Sequence, residues 1–148
     1  MKLNHFLIAA WLFFAPKTAF FAQPPKINGL QHVALSVKDL AASAKFYHEI
    51  LGFEPLDVPK PLFGIRYWFT IAPGQELHLL NQRMEVVTNN DRNASHFAVA
   101  IESADDWEAF FKKIGLPYHR QQRVDGNWQI YITDPDGYVI ELNEPKSK

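Results

Sequence analysis

An α+β fold built from two tandem β-α-β-β-β modules is what this 148-residue chain predicts. Three observations carry that prediction. The sequence matches itself at a near-constant offset. Each copy opens with a short strand-like run followed by a helical one. Each copy then closes on three extended runs divided by turn residues.

The offset is first 64 residues. It lays QHVALSVKDLAASAKFYHEILGF over SHFAVAIESADDWEAFFKKIGLP, so that His32 meets His96, Ala34 meets Ala98, Phe46 meets Phe110 and Ile50 meets Ile114. Past the helical run it becomes 63, and YWFTIAPGQELHLLN falls on IYITDPDGYVIELNE. Thr70 then meets Thr133, Gly74 meets Gly137, Leu79 meets Leu142, and His78 meets Glu141. Apolar stays on apolar over about fifty residues, the mark of a duplicated unit.

Each copy justifies its elements in order. HVALSV and HFAVAI are short and strand-like, two of six positions in the first and three in the second being β-branched or aromatic. Asp39 and Ser103 stand where N-caps belong, because their side chains accept from the free amides of a first helical turn. Helices are predicted over 40–51 and 104–114, with Leu40, Ala44, Tyr47, Leu51 and Trp107, Phe110, Phe111, Ile114 at helical spacing. Gly52 and Gly115 end them. Strands are predicted at 53–58, 65–71 and 76–81, then at 117–121, 127–133 and 138–143, with Pro73-Gly74 and Asp136-Gly137 as turns. The modules span 27–81 and 94–143, and the polar stretch 82–93 connects them.

Composition fits one globular domain over residues 23–148, with 47% hydrophobic and 21% charged residues in the whole chain. A formal charge of -1 and the lack of any basic run exclude a nucleic-acid binder. The absence of cysteine excludes disulfides, thiolate metal sites and cysteine nucleophiles. Residues 1–22 read as a secretory signal peptide: basic Lys2, an apolar run from Phe6 to Ala15 that is short for a membrane span, then a cleavage candidate at Ala22. The expected mature protein is exported, periplasmic or secreted, without stable membrane association, and carries 13 basic against 16 acidic residues.

Strand parity points the histidines. His32, Ala34 and Ser36 share one face, opposite Val33, Leu35 and Val37; His96, Ala98 and Ala100 share one face, opposite Phe97, Val99 and Ile101. The larger apolar face packs on the helix, which leaves the histidine face as a concave wall. His78 and Glu141 hold matched places in the last strands. Three imidazoles and a carboxylate on stiff strands suit one divalent metal, with Zn, Ni, Fe(II) and Mn all compatible. His5, His48 and His119 are expected to be non-ligands.

The two modules, with the segments QHVALSVKD, LHLLN, SHFAVAIES and YITDPDGYVIELNE, resemble the vicinal oxygen chelate superfamily of glyoxalases, bleomycin-resistance proteins and extradiol dioxygenases. The resemblance covers about residues 27–144. It implies a cupped, incomplete-barrel mixed sheet around a metal, with His32, His78, His96 and Glu141 as ligands. Some members use all four places; others use only those of His32, His96 and Glu141. Position also implies that Tyr131 contacts substrate. Arg66, Trp68 and Thr70 alternate along a face matched by Gln129, Tyr131 and Thr133, and Arg66 is a candidate to neutralise an anionic substrate. Gln121 stands where the transferases of this group carry a lysine.

The activity implied first is that of a glyoxalase-like lyase or isomerase, acting on a small substrate chelated through two neighbouring oxygens, with Glu141 as ligand and base. The alternatives are an Fe(II) extradiol-type dioxygenase and a non-catalytic small-molecule binding or resistance protein. A homodimer is a further expectation from the resemblance.

Overall fold

The computed structural model describes residues 24–88 and 90–146; the expected signal peptide lies outside the described residues. The chain runs β1 (His32–Val37), α1 (Leu40–Glu49), β2 (Glu54–Leu56), a 3-10 turn (Lys60–Leu62), β3 (Arg66–Ala72) and β4 (Gln75–Asn81). It then repeats as β5 (His96–Ala100), α2 (Ala104–Ile114), β6 (His119–Gln122), β7 (Trp128–Thr133) and β8 (Val139–Glu144). No helix among the described residues is long and apolar enough to cross a membrane.

Both modules make the same four-stranded mixed sheet, ordered β1-β4-β3-β2 and β5-β8-β7-β6. The first strand of each pairs parallel to the last, and the other pairs are antiparallel. This is the predicted α+β architecture. The registers place Ala34 opposite His78 in one sheet and Ala98 opposite Glu141 in the other.

The helix caps follow the sequence. Asp39 accepts from the amides of Ala41 and Ala42, and Ser103 from the amide of Asp106. Gly115 closes α2 in the left-handed region, and Gly52 turns the chain after α1. Two boundaries differ from expectation. The run 53–58 shrinks to a three-residue β2, and the chain turns at a short 3-10 segment capped by Pro59, with Pro61 in its first turn. Strand β6 begins at His119, two residues after Pro117.

Alternation does what parity requires. Leu35 and Val37 of β1 are buried while His32 and Ala34 are exposed; in β5, Phe97 and Val99 are half-buried while His96, Ala98 and Ala100 are exposed. One apolar cluster joins both modules, with Tyr47, Phe69, Leu77 and Leu79 from the first and Phe111, Ile130, Ile140 and Leu142 from the second. Each fully buried side chain of this size stabilises the fold by about 1.5–3 kcal/mol.

The Asp-Pro-Asp-Gly turn between β7 and β8 is the polar half of the seam. Asp136 accepts from the Lys38 amide (2.7 Å) and the Ser43 hydroxyl (2.6 Å), and the Tyr47 hydroxyl donates to Asp134 (2.7 Å). The Tyr138 hydroxyl donates to the Ser36 carbonyl, and the Val87 amide to the Asp136 carbonyl. The turn of one module therefore supplies acceptors for the first strand and helix of the other.

Candidate metal centre

The second module holds its predicted pair in contact. His96 Nε2 lies 3.0 Å from Glu141 Oε2. Its other nitrogen, Nδ1, lies 2.9 Å from the Ala94 carbonyl. A carbonyl only accepts, so Nδ1 carries a proton, and Nε2 meets the carboxylate either through a second proton, as an imidazolium–carboxylate pair, or through a cation in that proton's place. Two acceptors facing each other at this distance need a cation or a proton between them. A ligand histidine that donates its remaining N–H to a backbone carbonyl has the usual outer arrangement of a metal site.

Glu141 is buried, with 5% of its surface exposed. Gln129 Nε2 and Asn143 Nδ2 each donate to Oε1 at 2.6 Å. Burial alone would raise this carboxyl, but the donors from Asn143, Gln129 and Tyr131 and the nearby His96 outweigh it and hold the group below the usual carboxylate range. The Tyr131 hydroxyl shifts the other way, raised by burial and then by Glu141. Its ring meets His96 edge-on, with centroids 5.8 Å apart.

The first module arranges its histidines differently. Trp68, opposite His78 across β3 and β4, stacks on it at 4.4 Å, and His32 stacks on the other side of His78 at 4.4 Å. His78 Nε2 donates to Glu76 Oε2 (2.7 Å), and that bond leads the causes that lower the Glu76 carboxyl. Imidazole lone pairs lie in the ring plane. The His32 and His78 planes are 12° from parallel and stacked, so an ion about 2.1 Å from a nitrogen of one lies outside the plane of the other. In this geometry His32 meets Gln31 Oε1 through Nδ1, and His78 is stacked between two rings and bonded to Glu76.

The sequence-derived residues therefore divide. His96, Glu141 and Tyr131 are brought together, and His32 and His78 are brought together. Among the described residues no three histidine, aspartate or glutamate side chains of one chain converge to hold an ion. His32 and His96 both border one cavity of about 690 Å³ between the edges of β1 and β5, floored by Phe97, Val99 and Trp107. Arg66 shares the Trp68 face, but its Nη1 donates to the Ile65 carbonyl (2.8 Å) and it lines a separate hollow with Asp57 and Phe63. His48 bonds the Phe53 carbonyl as a structural group.

Sequence reasoning put Gln129 on the candidate face with Tyr131 but gave it no partner, and gave Glu76 and Asn143 no role at the site. A signal was present for two of them. Gln129 has the parity of Tyr131, and Asn143 that of Glu141, and the register pairs Gln129 with Asn143 and Tyr131 with Glu141.

A family model described as Glyoxalase/Bleomycin resistance protein/Dioxygenase superfamily matches residues 29–142. Among curated proteins, Glyoxylase I 4 of Arabidopsis thaliana is 27% identical over 80% of this chain and 72% of its own length. Metallothiol transferase FosB of Staphylococcus epidermidis is 29% identical over 80% of this chain and 82% of its own. Among solved structures, a glyoxalase/dioxygenase from Nostoc punctiforme superposes with a TM-score of 0.70 at 24% identity, covering 84% of this chain and 97% of that one. Lactoylglutathione lyase from Agrobacterium tumefaciens gives 0.64 at 24% identity over the same shares. At these identities the solved structures show the shared fold.

Proposed function

The chain belongs to the glyoxalase/bleomycin resistance protein/dioxygenase superfamily, and from that premise we propose that it is an exported enzyme that uses one divalent metal to act on a small substrate chelated through two neighbouring oxygens. The observation that carries the reading is the His96–Glu141 pair: an imidazole nitrogen and an ionised, buried carboxylate oxygen face each other at 3.0 Å, a place where a divalent cation can take over from the shared proton. That donor set fits a divalent cation. A metal there supplies Lewis acidity toward the substrate oxygens.

The ligands in this reading are His32, His96 and Glu141, which leaves open positions for a bidentate substrate. His78, pinned by Glu76 and sandwiched between Trp68 and His32, fixes the His32 ring. The Tyr131 hydroxyl, beside Glu141 and His96, is placed to donate to a substrate oxygen. The reaction is a glyoxalase-type lyase or isomerase step on an α-oxo or α-hydroxy carbonyl compound. A second reading, an Fe(II) extradiol-type dioxygenase, is favoured by one observation. The stacking that withdraws His78 leaves a 2-His-1-carboxylate set.

The cup is completed in a homodimer, His32 of one copy meeting His96 and Glu141 of the other. Support comes from the histidine-bearing faces of β1 and β5, which are exposed in the single chain, each with only part of the ligand set. Metal analysis of the purified protein is expected to give one ion per chain, lost in His96→Ala and Glu141→Ala. Mixing His32→Ala with Glu141→Ala protein is expected to restore one of the two sites in each mixed dimer. Full metal occupancy in the double variant His96→Ala, Glu141→Ala would sink the metal reading. Oxygen uptake with catechols would replace the lyase with the dioxygenase, and tight binding without turnover across a carbonyl and catechol panel would replace both with a sequestering protein.

A further inference from the structure

We infer that Gln129 and Asn143 are positioning residues that occupy Glu141 Oε1 together and leave Oε2 as the donor atom, so that the carboxylate serves as a fixed ligand and not as a mobile proton carrier. The inference rests on the metal reading above and goes beyond it.

The geometry is a chain across three strands. Gln121 Nε2 on β6 donates to Gln129 Oε1 on β7 (3.0 Å). That bond fixes which end of the Gln129 amide faces inward. Gln129 Nε2 then donates to Glu141 Oε1 on β8, and Asn143 Nδ2 reaches the same oxygen from the same strand, both at 2.6 Å. Oε2 is turned to His96. Both donors are neutral amides bonding to an ionised acceptor, the stronger class of hydrogen bond.

Swinging the carboxylate off a metal would break both bonds at once. Gln129 is itself buried, with 5% of its surface exposed, so its amide would be left without a partner inside the protein. The duplicated module acts as an internal comparison. By the repeat, Gln129 corresponds to Arg66, Glu141 to His78 and Asn143 to Leu80. No such clamp can form there, since Leu80 has no donor. The shared fold therefore does not require the clamp, and it sits where the carboxylate ligand sits.

The test uses the full chain and cobalt(II) as the probe. Dissociation constants come from chelator competition, and the visible spectrum of bound cobalt reports its ligand geometry. Gln129→Leu and Asn143→Leu keep side-chain size and remove the donors. Each is expected to weaken cobalt binding roughly 10- to 100-fold and to alter the visible bands. The double variant is expected to lose less than the product of the two single effects, because both donors share one oxygen. Circular dichroism of the metal-free proteins controls for folding, and if Gln129→Leu does not fold, Asn143→Leu is read alone. If wild type binds cobalt and Glu141→Gln does not, while the clamp variants bind within about twofold of wild type with an unchanged spectrum, the clamp is refuted and the metal site stands. If wild type itself fails to bind cobalt, the metal reading falls and the clamp with it.

Discussion

Removing a single oxygen from the seam between the modules should destabilise the whole chain. In Tyr47→Phe the ring stays packed beside Phe46, Phe53 and Phe69, and only the hydroxyl bond to Asp134 Oδ2 is lost. Asp134 Oδ1 keeps the amides of Asp136 (2.9 Å) and Tyr138 (2.8 Å), but Oδ2 is left bare in a residue that is 5% exposed. A hydrogen bond to a buried charged acceptor contributes about 1.5–3 kcal/mol, and leaving the acceptor unpartnered puts this change near the upper end. The loss corresponds to a fall in melting midpoint of roughly 6–9 °C. It should also depend on pH. Burial raises the Asp134 carboxyl above its ordinary value, against the bonds from Tyr47 and the two amides. A carboxyl raised by folding favours the fold below its unfolded value, and that contribution is lost as pH rises through its folded value. Without Tyr47 the folded value rises further, so the deficit is largest near neutral pH, narrows as pH falls through the raised folded values, and has reached its smallest by about pH 4. Denaturant unfolding of wild type, Tyr47→Phe, Asp134→Asn and the double variant at both pH values measures it. A Tyr47→Phe cost under about 0.5 kcal/mol at neutral pH, or no coupling in the cycle, would refute the reasoning.

Three further outcomes are expected. Gly137→Ala places a Cβ 2.0 Å from the Val87 carbonyl oxygen at φ +85°, whereas at Gly74 (φ +73°) a Cβ meets nothing within 4 Å. Gly74→Ala should therefore cost only the left-handed penalty of about 1–2 kcal/mol and Gly137→Ala distinctly more, as read from thermal midpoints. The Glu108 carboxyl is held down at about 2 by the Tyr118 hydroxyl, Lys112 and Arg120. Its contribution is present above the unfolded carboxylate value and lost as pH falls toward 2, so Glu108→Gln should flatten the acid limb of a stability-pH curve. On the proposed ligand set His96→Ala should abolish stoichiometric metal retention, and His78→Gln should weaken it only in part; equal losses in the two variants would return His78 to the ligand set.

How much was legible follows from which signals are local. The duplicated β-α-β-β-β order, the caps Asp39 and Ser103, the closing glycines and the outward histidine faces of β1 and β5 all arise from period-two and period-3.6 patterns and from turn chemistry, which act within a few residues. The turn after β2 is also written in the sequence, at Pro59 and Pro61. Matching His78 to Glu141 placed both side chains correctly on their sheets and said nothing about their neighbours.

Those neighbours were decided by tertiary structure. Trp68 stacks on His78 because antiparallel pairing sets residue 68 opposite residue 78, and sequence periodicity carries no cross-strand register of its own. Gln129 reaches Glu141 because β7 pairs with β8, and Asp136 reaches Ser43 because the two modules pack as one core. The sequence by itself thus determined the elements, their order and the faces that carry imidazole and carboxylate, since these follow from backbone geometry and burial. Only the tertiary structure decided that Trp68 and His32 stack on His78, and that Gln129 and His96 reach opposite oxygens of Glu141, because those contacts join residues that only chain-distant pairing brings together; the bonds of His78 to Glu76 and of Asn143 to Glu141 join neighbours two apart on one strand.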